Sequence, residues 1–194
     1  MLKYKTTRLK LFLMLSAIVA IAFAEICFAS SKETIHIDQF ISPEICSGCH
    51  GEIFEQWENS MHCLAHKDPV YFRVSQFLRK GLINEGEIKE AESCVKCHTP
   101  VGHLTGFPEK ISDDLSKTPE IATFGIQCDY CHSVTSVKQM YNNGLVLKPG
   151  NGEDDPGIKY GPFDDAAPDF HEAQFSDLHT RSQICGTCHD VKHV

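Results

Sequence analysis

Eight of the ten cysteines fall into four copies of one pattern: Cys46-Ser-Gly-Cys49-His50, Cys94-Val-Lys-Cys97-His98, Cys128-Asp-Tyr-Cys131-His132 and Cys185-Gly-Thr-Cys188-His189. Two thiols three positions apart on a helical turn can add to the two vinyl groups of one porphyrin. The adjacent imidazole then reaches the iron from the same side, so C-x-x-C-H is the attachment signature of c-type haem. Ten Cys and eleven His scattered at random over this length would give roughly 0.03 copies of the pattern. Structural zinc prefers paired C-x-x-C knuckles without an obligatory following His. A disulfide scaffold has no reason to place His after the second Cys four times. The sequence therefore predicts four haems c, with His50, His98, His132 and His189 as proximal iron ligands. Cys27 and Cys63 are left over, the latter as a small buried residue.

Four irons need up to four ligands on their far sides. Seven His lie outside the motifs: His36, His62, His66, His103, His171, His179 and His193. If the leading segment is removed, only Met61 and Met140 remain as sulfur ligands, so bis-His ligation is the expected scheme. His62, His103, His171 and His179 are the candidate distal ligands, with His66 and His193 in reserve and His36 last. His62 follows His50 by 12 residues, about 18 Å along a continuous helix, so it should serve a different haem from His50. The pairing of the others is open.

These residues need a scaffold. Motif spacings of 48, 34 and 57 residues exclude a simple repeat array. Ser42-Pro43-Glu44 predicts a helix start leading through the first motif into a helix over 52–62, with Ile53, Trp57 and Met61 on one face. Asp68-Pro69 starts another that Gly81 ends, and Glu85 to Cys97 reads as a third with Ile88, Ala91 and Val95 inward. Residues 99–124 read mostly as loop, and 149–169 as a surface loop rich in Pro, Gly and acids. Val134–Tyr141 and Leu145–Leu147 flank Asn142-Asn143-Gly144 as a small hairpin near 134–148. Asp169 and Glu172 resemble a capping box that opens a helix through Leu178, which would set His171 and His179 near one face. The expected class is mainly α and loop-rich, with haems as the core.

The N-terminus has a different purpose. Lys3, Lys5, Arg8 and Lys10 precede an apolar run from Leu11 to Ala24, with small-x-small sites ending at Ala24 and Ala29. This is the pattern of a secretory signal peptide over 1–29, or cleaved after 24, leaving 30–194 as a single tetrahaem domain. The apolar run of 14 residues is short of the roughly 20 a membrane span needs, although an uncleaved segment would attach the protein to a membrane. Cleavage after Ala29 removes four basic residues and one acid and takes the net charge from −8 to −11. That sign argues against nucleic acid and suits a redox partner with a basic docking patch. A periplasmic or secreted location follows from the leader and from the site of haem attachment.

The motifs also carry a resemblance. Cys46-Ser-Gly-Cys49-His50 followed by Ile53-Phe54-Glu55-Gln56-Trp57 and Ser60-Met61-His62 resembles the first motif region of the cytochrome c-554 family. Gly125-Ile126-Gln127-Cys128 is similar to its later attachment segment. Tyr160-Gly161-Pro162, Phe170-His171 and Ile184-Cys185 through Val191 resemble its last segment. The resemblance implies haems packed in close pairs, a mostly helical scaffold, a periplasmic electron shuttle, and kinship with larger enzymes of nitrogen chemistry. It also implies that one haem can lack a sixth ligand. Members often continue past the last motif, whereas this sequence stops five residues after His189. Three functions follow. The first is an electron carrier with no catalytic residues. The second is a redox enzyme acting on a small nitrogen or sulfur oxyanion at one five-coordinate haem. The third is a subunit of an extracellular haem filament.

Overall fold

Local capping fixes most of the helices in the computed structural model, which describes residues 34–192. The leader and His193 lie outside the described residues. Ser42 Oγ accepts from the amide of Glu44, and Pro43 opens α1 (Pro43–Ser47). Helix α2 (Gly51–Glu58) follows His50. The continuous helix expected over 52–62 breaks at Asn59-Ser60, and α3 (Met61–Leu64) restarts under a Ser60 cap. The reason is local: Asn59 Nδ2 donates to Glu55 O at 2.9 Å and Ser60 Oγ to Trp57 O at 2.6 Å, an alternative to further helical bonding.

Asp68 Oδ1 accepts from Tyr71 N at 2.7 Å to cap α4 (Pro69–Leu78), and Gly81 at φ +72° closes the turn beyond it. Asn84 caps α5 (Glu85–His98), whose buried Ala91 and Val95 and partly buried Ile88 match the predicted inner face. The stretch after it is more ordered than its sequence suggests. It holds α6 (Pro100–Thr105), which ends at Gly106 with φ +91°, and 3-10 turns at Leu115–Lys117 and Glu120–Phe124. Helices α7 (Cys128–His132) and α8 (Gln183–His189) carry the third and fourth motifs.

The hairpin forms as β1 (Val134–Gln139) against β2 (Gly144–Leu147), antiparallel, with Val134 opposite Leu147 and Gln139 opposite Gly144. Its bend uses Asn142 and Asn143 at φ +49° and +56°, the left-handed region that Asn tolerates. The helix expected over 169–178 does not form. Strand β3 (Ile158–Gly161) pairs in parallel with β4 (Glu172–Phe175), and a 3-10 turn follows at Asp177–Thr180. Backbone pairing with the 158–161 segment overrides the capping-box signal.

Side chains alone make a small interior. One cluster joins Phe40, Val101, Ala122 and Tyr130, with Ile121, Ile126, Leu145 and Leu147 packed on it. Large apolar side chains such as Ile53, Met61, Phe77, Ile83, Phe163 and Val191 stand exposed. No described helix is long and apolar enough to cross a membrane.

Candidate haem-binding site

Each attachment segment puts its two thiols on one helical turn. Cys46 closes α1, and Cys49 and His50 lie between α1 and α2. Cys94, Cys97 and His98 end α5. Cys128, Cys131 and His132 make up most of α7, and Cys185, Cys188 and His189 end α8. All nine described cysteines are free thiols. Among the described residues no three His, Cys, Asp or Glu side chains converge as a structural zinc would need.

The segments are held together by polar contacts made from their intervening residues. Asn143, at the hairpin tip, donates through Nδ2 to Lys96 O, accepts from Tyr130 Oη at 2.6 Å, and gives its amide to Thr187 O at 2.6 Å. One residue thus touches the second, third and fourth motifs. Asp129, inside the third, accepts from Ile41 N at 2.9 Å and Ser133 Oγ at 3.1 Å and pairs with Lys159 Nζ at 2.6 Å. Trp57 Nε1 donates to Ile126 O at 2.8 Å, and Ile126 N to His62 O at 3.0 Å, tying the first motif's helix to the chain entering the third.

Thiols of different motifs also meet. Cys46 and Cys128 are near enough to influence each other's ionisation, as are Cys97 and Cys188. Within each pair one thiolate is favoured: the pKa values of Cys46 and Cys188 are lowered and those of Cys128 and Cys97 raised. Cys131 is pushed up to about 12 by burial. The first segment therefore adjoins the third, and the second adjoins the fourth.

Three motif histidines face a histidine from outside the motifs. Ring centroids are 6.4 Å apart for His50 and His171, 6.3 Å for His62 and His189, and 5.9 Å for His132 and His179. An iron bound at about 2 Å from a nitrogen of each ring would set the centroids about 6 Å apart. The residues present fit such a metal. Their second ring nitrogens fit as well, because a ligating imidazole usually donates its other N–H to a nearby oxygen. His132 Nδ1 contacts Tyr160 O at 2.7 Å, His171 Nδ1 contacts Glu172 O at 2.9 Å, and His98 Nδ1 contacts Ala65 O at 3.1 Å, leaving Nε2 free in each. His179 reverses the arrangement. Its Nε2 contacts Cys131 O at 3.0 Å, and its Nδ1 is buried without a partner. Burial and the neighbouring His179 hold the pKa of His132 below its ordinary value.

The second segment differs. Tyr71 lies flat on His98, with centroids 4.2 Å apart and planes 6° from parallel, so it braces the face of the imidazole rather than opposing its tip. No described histidine ring faces His98 as His62, His171 and His179 face their partners. His103, on α6, has no ring neighbour among the described residues, and burial lowers its pKa. His66 is buried, with Nδ1 2.7 Å from Thr99 Oγ1, and burial holds its pKa near 4. His36 caps the 3-10 turn Ile37–Gln39. Cys63 is buried, which raises its thiol pKa. Sequence reasoning missed Tyr71 as a brace for His98, and it had no signal for the backbone carbonyls that orient the imidazoles.

Residues 45–133, which hold the first three motifs, match the family model described as cytochrome c554 and c-prime. No curated protein matches the chain. Among solved structures, the penta-heme cytochrome c552 from Thermochromatium tepidum superposes with a TM-score of 0.55 at 19% identity, over 80% of this chain and 47% of that one. The chain thus spans about half the length of that protein. The chain is helix-rich and, over residues 45–133, similar to that family of c-type cytochromes.

Proposed function

We propose that this protein transfers electrons outside the cytoplasm through four covalently attached haems, one at each C-x-x-C-H segment. Bound haem iron supplies one-electron chemistry at a potential set by its axial ligands and surroundings. The chain's own work is to tether, ligate and space the four groups. The observation that carries this reading is the set of three histidine pairs at the separation an iron would require. In it His171 serves the first haem, His179 the third and His62 the fourth. Adjacent thiols bring the first haem beside the third and the second beside the fourth. A redox protein with a basic patch suits the net charge of −8 on the full chain.

One observation favours a second reading. The described residues offer no facing histidine to His98, so the second haem is the one with an open far side. That opening is where a small nitrogen or sulfur oxyanion would react if the protein is also an enzyme. The test is a haem count followed by carbon monoxide addition to the dithionite-reduced protein. Four haems per chain with about a quarter of the haem absorbance shifting is the expected result. Fewer than four haems, or a shift of most of the absorbance, overturns the assignment. Turnover of nitrite, hydroxylamine or sulfite by the reduced protein would bring the enzyme reading forward.

A further inference from the structure

The inner stripe of α4 and its C-cap carries Tyr71, Ser75 and Arg79 at successive four-residue steps, exposed by only 7%, 2% and 3%. Tyr71 braces His98. Arg79 has no such assignment. Its Nη2 donates to Lys110 O at 2.8 Å, while Nε and Nη1 are buried with no hydrogen-bond partner. No ion pair among the described residues reaches it. Its electrostatic neighbours are Glu92, Tyr71, Asp113 and Cys94, and Glu92 and Cys94 stand on the helix that ends in the second motif. Burial depresses its pKa, as expected of a cation lacking a close counter-charge. A guanidinium carries a fixed fork of donors and is rarely left buried without an anion.

Arg79 also lines a cavity of about 620 Å³ with Arg73, Lys80, Gln76, Asp113 and Asp114 among its walls. The two acids are occupied elsewhere. Asp113 Oδ2 accepts from Lys110 N at 2.8 Å, and Asp114 Oδ1 accepts from Ser116 N at 2.9 Å and Gln76 Nε2 at 2.6 Å. Three cations therefore face the cavity against two engaged carboxylates.

We propose that Arg79 anchors an anion site beside the second haem segment, built for a carboxylate or a similar small oxyanion. Two sources have that chemistry: a propionate of the haem held by Cys94 and Cys97, and a free oxyanion entering through the cavity. The inference rests on the proposal that the second segment carries haem.

The experiment uses Arg79→Gln and Arg79→Lys proteins matured in a host that attaches c-type haem. Mass spectrometry and a haemochrome assay of the unsubstituted protein come first. A second segment without haem there defeats the haem assignment, not the role of Arg79. In four-haem proteins, spectroelectrochemical titration should show one midpoint moved to lower potential in Arg79→Gln, because a nearby positive charge favours the reduced haem. If a propionate is the partner, the shift is the same with and without added phosphate or nitrite. If a free anion is the partner, phosphate or nitrite perturbs that midpoint in the unsubstituted protein, and the substitution weakens the anion about tenfold or more. Should Arg79→Gln lose a haem, Arg79→Lys carries the test, since a point charge replaces the fork and a smaller shift of the same sign is expected. Four-haem variants whose midpoints and anion response match the unsubstituted protein overturn the proposal.

Discussion

On the proposed four-haem assignment, replacing His62 with alanine should open the fourth haem and leave the others unchanged. His62 opens toward His189 at a centroid separation of 6.3 Å, which leaves about 3 Å from each ring centre to an iron between them. Alanine keeps the helical backbone of α3 and its Ser60 cap but removes every atom that could reach the iron. One haem of four then becomes five-coordinate. Because the second haem already lacks a facing histidine, the share of absorbance shifted by carbon monoxide in the reduced protein should rise from about a quarter to about a half. Electron paramagnetic resonance of the oxidised variant should show added high-spin iron, and its pyridine haemochrome should still count four haems. A four-haem variant with an unchanged carbon monoxide fraction would refute the pairing of His62 with His189. A variant with a doubled fraction but altered circular dichroism would point to unfolding instead.

Gly125 has φ +65° and ψ −127°, and a Cβ there would sit 2.3 Å from His62 O and 3.1 Å from Cys63 O. Gly125→Ala should therefore lower stability by about 2–3 kcal/mol in thermal unfolding and raise carbon monoxide binding by displacing His62. Asn143→Gly keeps a left-handed backbone but loses two side-chain hydrogen bonds to the second and third motifs, at a cost of about 2 kcal/mol in denaturant unfolding. His66 provides a pH signature. Burial holds its folded pKa near 4 against an ordinary value of 6.5, so between those values the unfolded chain binds more protons. Stability should be fully retained above pH 6.5 and fall by up to about 3 kcal/mol as pH drops toward 4. His66→Gln should flatten that slope in acid unfolding followed by circular dichroism, and an equally steep slope in the variant would exclude His66 as its cause.

The motifs and the caps were legible because their information is local. Asp68-Pro69, Asn84 and Ser42 each satisfy helix amides within three residues, and the structure uses them as read. The hairpin was legible because Asn142 and Asn143 accept the left-handed turn. Where the reading failed, a distant partner outweighed a local signal. The capping-box pair Asp169 and Glu172 lies beside a strand because 158–161 pairs with 172–175. The extended segment lets His171 face His50 and His179 face His132, two partners that a single helix face would not reach as readily. His62 was expected on one continuous helix with His50. A break at Asn59-Ser60 separates the two, and the ring of His62 lies beside that of His189. His103 was a candidate alongside His171 in sequence, because spacing along a chain carries no record of which rings will lie beside each other.

The contacts between Cys46 and Cys128 and between Cys97 and Cys188 bear on the order of biogenesis. Each contact joins sulfurs of two different attachment segments. If the polypeptide reached this arrangement bare, any oxidant could weld those sulfurs across motifs, and four vinyl-reactive positions would be lost to two wrong crosslinks. The lowered pKa of Cys188 favours its thiolate, the form that attacks another sulfur, and sharpens that hazard. On the four-haem proposal, loading ahead of compaction, with the thiols kept reduced, would avoid both crosslinks. The final folding step is then the closing of a scaffold around cargo it already carries.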